Sequence, residues 1–105
     1  MNNIRQISVF VENKPGRLSA ITKILKDNGI NIRAISIADT KDFGILRLIV
    51  SDPDKACEKL RAEKCTVTIT EVVAIEIADE LGRLSSVIDI LADSKVNIEY
   101  MYAFL

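Results

Sequence analysis

The 105-residue chain contains no histidine and no tryptophan, and only 5% of its residues are aromatic. Histidine is the commonest general base and zinc ligand, so its absence excludes hydrolytic triads and most zinc sites. The two cysteines, Cys57 and Cys65, have no second pair to complete a tetrahedral metal site. We therefore expect no metal and no cofactor. We interpret both cysteines as buried or half-buried thiols, with a single disulfide between them as the alternative.

The chain also lacks an excess of charge of either sign, with 14 Lys and Arg, 15 Asp and Glu, and a formal net charge of −1. Nucleic-acid-binding proteins normally concentrate basic residues, so we expect no nucleic-acid partner. No apolar run approaches the ~20 residues of a membrane-spanning helix, and no signal peptide is evident. We expect a soluble, cytoplasmic protein with no membrane association. A hydrophobic content of 49% supplies the material for a core.

An internal repeat is the most informative feature of the sequence. Residues 8–39 align without a gap to residues 74–105 at a constant offset of 66, and nine aligned positions are identical. The identical pairs include Gly16 with Gly82 and Asn31 with Asn97. Since both copies keep the same pattern of apolar residues, we expect the same succession of strand, turn, helix and strand in each.

Alternation and helical spacing of apolar residues predict six elements in the first part of the chain. A Pro-Gly turn separates the first strand from the first helix, and an Asp-Pro pair begins the second helix as N-cap and first helical residue. The predicted elements are a strand over 4–12, a helix from Arg17 to Asn28-Gly29, strands over 31–38 and 43–50, a helix from Asp52-Pro53, and a strand over 65–69. The order β-α-β-β-α-β predicts an α+β, ferredoxin-like fold.

After residue 71 the plan begins again, with a strand over 72–78, a helix over 82–94 and a strand over 97–105. We therefore divide the chain into a domain over 1–71 and a partial second unit (β-α-β) over 72–105. The second unit has no equivalent of residues 40–71, which include the strand expected between its other two. Unpaired strand edges are templates for a further strand. Either the sequence is a fragment, or another chain or a rearranged packing fills the gap.

The turn Asn13-Lys14-Pro15-Gly16, the helix beginning near Leu18 and the segment Gly29-Ile30-Asn31-Ile32 resemble the start of an ACT domain. The resemblance covers the whole chain and is strongest to stand-alone proteins with two ACT domains in tandem, which contain forms of ENKPGRL and IEYMYAF. It implies a non-enzymatic regulatory module that binds amino acids. It further implies a homodimer and a partner enzyme of amino-acid metabolism.

The turn before the first helix has the groups that a free amino acid requires. Backbone N–H groups of a first helical turn lack intrahelical partners and favour a carboxylate, and Gly16 keeps a Cβ away from them. Asn13 and Asn31 each offer a donor and an acceptor. The predicted ligand-binding residues are Asn13, Lys14, Pro15, Gly16, Arg17, Leu18, Asn31 and Ile32. Taken singly, Pro15 and Gly16 are also typical of a plain strand-to-helix turn.

The second copy of the turn replaces Asn13 and Lys14 with Asp79 and Glu80. Two carboxylates repel the carboxylate of a ligand, so we expect a weaker or purely structural site there. Its residues are Asp79, Gly82, Arg83, Leu84 and Asn97.

Two other functions compete with an amino-acid sensor. The first is a regulatory subunit resembling the small subunit of acetohydroxyacid synthase, whose first module begins with a similar strand and turn. The second is an acylphosphatase-like hydrolase on the same fold, which requires a glycine-rich phosphate cradle that this sequence lacks. Arg17 and Asn31 imitate its catalytic pair only loosely.

Overall fold

The computed structural model describes residues 2–12, 14–39 and 43–103. Asn13, residues 40–42 and the last two residues of the strand predicted over 97–105 lie outside the described residues. The elements are β1 (Asn2–Glu12), α1 (Arg17–Asp27), β2 (Ile32–Asp39), β3 (Phe43–Val50), α2 (Pro53–Ala62), β4 (Thr66–Ala74) and α3 (Arg83–Asp93).

The strands form an antiparallel four-stranded sheet in the order β2-β3-β1-β4. This order confirms the predicted α+β, ferredoxin-like class. Glu12 of β1 lies opposite Phe43 of β3, and Asp39 of β2 lies opposite Gly44. The ends of β1 and β2 therefore meet the start of β3 at one end of the sheet, which we call the turn end.

The hydrophobic core lies between one face of the sheet and the helices α1 and α2. In β3, Gly44, Leu46, Leu48 and Val50 are buried while the residues between them are more exposed, because successive side chains of a strand point to opposite faces. The core cluster comprises Ile7, Val9, Ile21, Leu25, Ile30, Leu46, Leu48, Val50, Ala56, Cys57, Leu60 and Val67.

The start of α2 confirms the prediction made from its sequence. The helix begins at Pro53, and the Asp52 side chain accepts a hydrogen bond of 3.1 Å from the Lys55 N–H. Cys57 is buried, Cys65 is half-buried, and both are free thiols. Burial, more than the nearby charge of Glu63, raises the pKa of Cys65.

The chain divides into two compact units, one of Asn3–Val73 and one that takes in the residues from Ala74 onward together with the N-terminus. The domain boundary at residue 72 stays a prediction. Helix α3 confirms the helix expected over 82–94. The strands expected on either side of it differ from the prediction: residues 72–74 end β4, while residues 75–78 and 97–103 form no strand.

The physical reason for this difference is hydrogen bonding. A strand persists only when its backbone groups pair with a neighbour, and in the first unit β3 pairs with both β1 and β2. From residue 75 to residue 103 the structure contains no strand that takes this central place. Residues 75–78 and 97–103 therefore have the apolar pattern of strands but lack the backbone hydrogen bonds to a neighbouring strand.

Within the described residues, no helix is long and apolar enough to cross a membrane. Over the same ranges, no group of three acidic, cysteine or histidine side chains is placed to hold a metal ion.

Candidate functional site

The turn between β1 and α1 depends on Gly16. Its φ and ψ of 85° and −10° are left-handed, a conformation that side chains with a Cβ rarely adopt. The Lys14 N–H donates to the Glu12 carbonyl at 2.8 Å, and the Arg17 N–H donates to the Lys14 carbonyl at 3.3 Å. Pro15 and Gly16 are exposed. The turn thus closes tightly and presents the start of α1 to solvent.

The first turn of α1 carries positive potential. Gly16 is the N-cap and provides no side-chain cap, and no acidic residue lies in the first turn. Among the described residues, no group accepts a hydrogen bond from the N–H of Leu18 or Ser19. Lys14 and Arg17 add two cationic side chains beside these donors. This arrangement favours an anion.

A cleft of about 270 Å³ opens beside this turn at the turn end of the sheet. It combines charged groups from the turn with aliphatic side chains from the sheet and from α1. The described residues that line it are Val11, Glu12, Lys14, Arg17, Leu18, Ile37, Gly44 and Leu46. A mixed lining of this kind suits a small ligand with a charged end and an apolar end.

The charges at the cleft are coupled to one another. The Lys14 ammonium lies 3.0 Å from a Glu12 carboxylate oxygen, and both side chains are largely exposed. The hydrogen bond from Lys14, its charge and the charge of Arg17 together hold the pKa of Glu12 below its ordinary value. Glu12 is therefore ionised at neutral pH, and the described lining of the cleft contains one carboxylate and two cations.

Asn31 and Ile32 lie away from this turn. Ile32 is opposite Val50, six residues along β3 from Gly44, which corresponds to about 20 Å of strand. The Asn31 N–H donates to the Ser51 hydroxyl at 3.0 Å, and its carbonyl accepts from the Ser51 N–H at 2.9 Å. Both residues line another open cleft, of about 420 Å³, with Gly29 and Ile30. The structure brings Lys14, Arg17 and Leu18 together and places Asn31 and Ile32 at the opposite end of the sheet.

The second copy of the turn has the same backbone and a different charge. Gly82 is also left-handed, with φ and ψ of 82° and −3°, and the Glu80 N–H donates to the Ala78 carbonyl at 2.8 Å. The Arg83 guanidinium pairs with the Glu80 carboxylate at 2.9 Å. The first turn has no such ion pair between positions 14 and 17. Lys14 stands where the second turn has Glu80, so both of these positions carry cations.

The remaining predicted residues of the second turn are solvent-exposed. Asp79, Leu84 and Asn97 lie at the surface of their unit, and Leu84 is 47% exposed. None of them lines either of the two clefts described above.

Five lining residues were not identified from the sequence: Val11, Glu12, Ile37, Gly44 and Leu46. Gly44 has a signal that sequence reading can use, because an isolated glycine within a strand often marks a close approach of a ligand or of another backbone. The place of Ile37 follows only from the pairing of β2 with β3, in which Ile37 lies opposite Leu46.

Comparison with known proteins gives a family for the chain. Residues 2–105 match the family model described as an ACT domain pair. The crystal structure of protein BT0572 from Bacteroides thetaiotaomicron is 47% identical, with a TM-score of 0.94 over 98% of this chain and 72% of that one. The ligand-free regulatory subunit of aspartate kinase from Thermus thermophilus is 16% identical, with a TM-score of 0.71 over 99% of this chain and 82% of that one. At this identity the second structure shows a shared fold alone.

A curated relative adds a more distant similarity. The acetolactate synthase small subunit of Mycolicibacterium smegmatis is 26% identical over 91 residues, which are 84% of this chain and 54% of that protein. The chain thus spans about half the length of this curated relative. The match to the family model covers both copies of the repeat. The chain belongs to the ACT domain pair family.

Proposed function

We propose that the protein is a non-enzymatic regulatory module that binds a small amino acid at the turn between β1 and α1 and modulates a partner enzyme of amino-acid metabolism. The observation that carries this proposal is the cleft beside the turn. It combines the exposed N–H groups at the start of α1, the cations Lys14 and Arg17, and the aliphatic Leu18. The carboxylate of an amino acid would bind the N–H groups and the two cations, and its side chain would pack against Leu18.

Family membership supports the regulatory part of the proposal. The aspartate kinase protein of similar fold is itself named a regulatory subunit, and the curated relatives are named small subunits of a synthase. Asn13 belongs to the proposed site on the grounds of its sequence position. Asn31 joins it only through a second chain, because one unit places Asn31 at the opposite end of the sheet.

We propose that the protein acts as a homodimer. The edge strand β2 supports this part of the proposal, because it lies at the border of the sheet and carries the exposed apolar residues Ile35 and Ile37. Edge strands with such residues are typical surfaces for association. The native mass in solution, measured by light scattering with and without amino acids, tests it: a dimer is expected, and a monomer in both conditions contradicts it.

Isothermal titration of the protein with each of the twenty amino acids tests ligand binding. We expect at least one to bind with a dissociation constant between millimolar and micromolar, since a ligand of about nine heavy atoms contributes limited energy per atom. Arg17→Gln is expected to weaken this binding, and Arg83→Gln is its matched control in the second turn. The absence of binding by all twenty contradicts the proposal.

A second candidate function is that of a small subunit of an acetolactate synthase, the enzyme also called acetohydroxyacid synthase. The alignment to such a subunit favours it, since it covers 84% of this chain at 26% identity. Copurification with the catalytic subunit of that synthase distinguishes the two. A stable complex that alters the rate of the synthase supports the second candidate, and a protein that binds amino acids without such a complex supports the first.

A further inference from the structure

The first unit consists of two halves with the same order of elements. Strand β1, helix α1 and strand β2 form one half, and β3, α2 and β4 form the other. In the sheet order β2-β3-β1-β4, the first strand of each half lies in the centre and the second lies at an edge. Exchanging the two halves reproduces this order, and both helices cover the same face of the sheet. The halves are therefore related by an approximate two-fold axis that passes between β1 and β3.

The second unit contains one such half. Residues 74–105 repeat residues 8–39, which run from β1 through α1 to the end of β2. Helix α3 forms, but residues 75–78 and 97–103 form no strand. In the first unit, the neighbour that pairs with both strands of this half is β3, the first strand of the other half. Another half with the same order of elements would therefore complete the second unit.

The second unit has the apolar side chains of a core, but they are not buried. From Ala74 to Ala103 every residue is exposed or half-buried. Leu25 and Ile30 belong to the core of the first unit, whereas their equivalents Leu91 and Val96 are half-buried and exposed. A unit of about 30 residues is too small to be stable without a partner. The exposed large apolar residues of this unit are Ile75, Leu81, Leu84, Ile90, Val96, Ile98, Tyr100 and Met101.

The chain exposes enough surface for a further interface. Its accessible surface is 7781 Å², whereas a compact monomer of 105 residues exposes about 5,900 Å². The difference is larger than the roughly 800 Å² that each partner buries in a stable interface. Identical chains associate most often about a two-fold axis, with the same surface contributed by each copy. The second unit suits this symmetry, because halves with its order of elements fit together about such an axis in the first unit.

We propose that the second units of two copies of this chain combine about a two-fold axis into one ferredoxin-like domain. Residues 75–78 of the two copies become antiparallel central strands, and residues 97–103 become the edge strands. Each central strand then lies between the two strands of the other copy, as β3 lies between β1 and β2. The two copies of α3 cover one face and bury Leu91. This interface is separate from the β2 edge, and its formation does not depend on a bound amino acid.

The mass of the full chain in solution, measured by analytical ultracentrifugation, tests the proposal. All measurements use an Ile35→Asp background, in which a charge on the edge strand β2 prevents association through that edge. Leu91→Asp and Ala92→Asp are the matched variants, because both place a carboxylate on α3 at adjacent positions. Leu91 is equivalent to the buried Leu25, and Ala92 is equivalent to the exposed Lys26.

We expect the Ile35→Asp protein to be a dimer. Adding Leu91→Asp is expected to raise its dissociation constant tenfold or more, because the dimer would then bury a carboxylate without a partner. Adding Ala92→Asp is expected to leave the dissociation constant within about twofold, since this position stays exposed. A monomeric Ile35→Asp protein would mean that a different partner covers the second unit, and equal dissociation constants of the two variants would mean that the dimer forms elsewhere. Either result overturns the proposal.

Hydrogen exchange gives a second readout that needs no substitution in the second unit. In the proposed dimer the backbone N–H groups of residues 75–78 enter central strands and pair on both sides. We expect them to exchange at least tenfold more slowly in the dimer than in the monomer obtained by dilution. A dimer held together at any other surface leaves these residues without a neighbouring strand. Equal exchange in dimer and monomer therefore overturns the proposal even if Leu91→Asp abolishes dimerisation by unfolding α3.

Discussion

Arg83 and Glu80 form an ion pair at the start of α3, with the guanidinium Nη2 2.9 Å and Nε 3.0 Å from the carboxylate Oε2. The equivalent positions in the first copy of the repeat are Arg17 and Lys14, which are both cations. The two turns share one backbone conformation, since Gly16 and Gly82 have φ of 85° and 82°. They therefore differ in charge rather than in shape, and charge decides which of them suits an anion.

The first prediction concerns Lys14. Lys14→Glu gives the first turn the acidic residue of the second, and it also removes the partner of Glu12. We expect it to lower the affinity for the amino acid about tenfold, because the ligand carboxylate then meets like charge. Isothermal titration measures the change. Glu80→Lys is the control and is expected to leave the affinity of the first site within about twofold, since it changes none of the described residues that line the cleft beside the first turn.

Much of the first unit follows from local sequence signals. The Asp52-Pro53 pair, the Pro-Gly turn and the apolar spacing of each helix act over a few residues, so they predict the element starts well. These local signals do not predict where Asn31 lies in the fold. Its position at the far end of the sheet follows from the antiparallel pairing of β2 with β3, which is a contact between residues distant in sequence.

The second unit shows the same limit more clearly. Residues 75–78 and 97–103 have the apolar pattern of strands, but they form none because the described part of their unit has no central strand to pair with. Helix α3 forms over the expected range because its hydrogen bonds are internal. Local patterns therefore predict helices better than strands. The lining of the cleft by Ile37 and Gly44 likewise depends on strand register.

The second prediction concerns the left-handed turn at Gly16. An added Cβ would meet no heavy atom within 4 Å, so Gly16→Ala introduces conformational strain and no clash. We expect it to lower the free energy of unfolding by about 1–2 kcal/mol. Urea denaturation followed by circular dichroism measures it. Asparagine tolerates this conformation better than alanine, so Gly16→Asn should cost less, and equal stability of both variants and the parent protein would contradict the strain argument.

The third prediction concerns the start of α2. The Asp52 carboxylate accepts the Lys55 N–H at 3.1 Å. Asp52→Ala leaves this donor without its cap and is expected to lower the free energy of unfolding by about 1 kcal/mol. Asp52→Asn retains an accepting oxygen and should stay close to the parent protein in the same urea titration. A similar loss in both variants would mean that the carboxylate charge, rather than the cap, stabilises the helix.

The fourth prediction concerns pH and the pair between β1 and α2. Arg5 donates two hydrogen bonds to the Asp54 carboxylate, of 2.9 Å and 2.7 Å. These bonds, and then the charge of Arg5, hold the pKa of Asp54 below its ordinary value. A carboxyl group with a lowered pKa in the folded state stabilises the protein above its unfolded-state pKa of about 3.9. That stabilisation is lost as the pH falls through the lower, folded-state pKa.

We therefore expect Asp54→Asn to be less stable than the parent protein at neutral pH and equally stable in acid. The difference is small, because exposed ion pairs contribute little and salt screens them. Urea midpoints of both proteins, at neutral and acidic pH and at low and high salt, measure the effect. The difference should shrink on acidification and also on addition of salt. A difference that persists unchanged in acid would show that Asp54 acts through packing or through helix α2 rather than through its charge on Arg5.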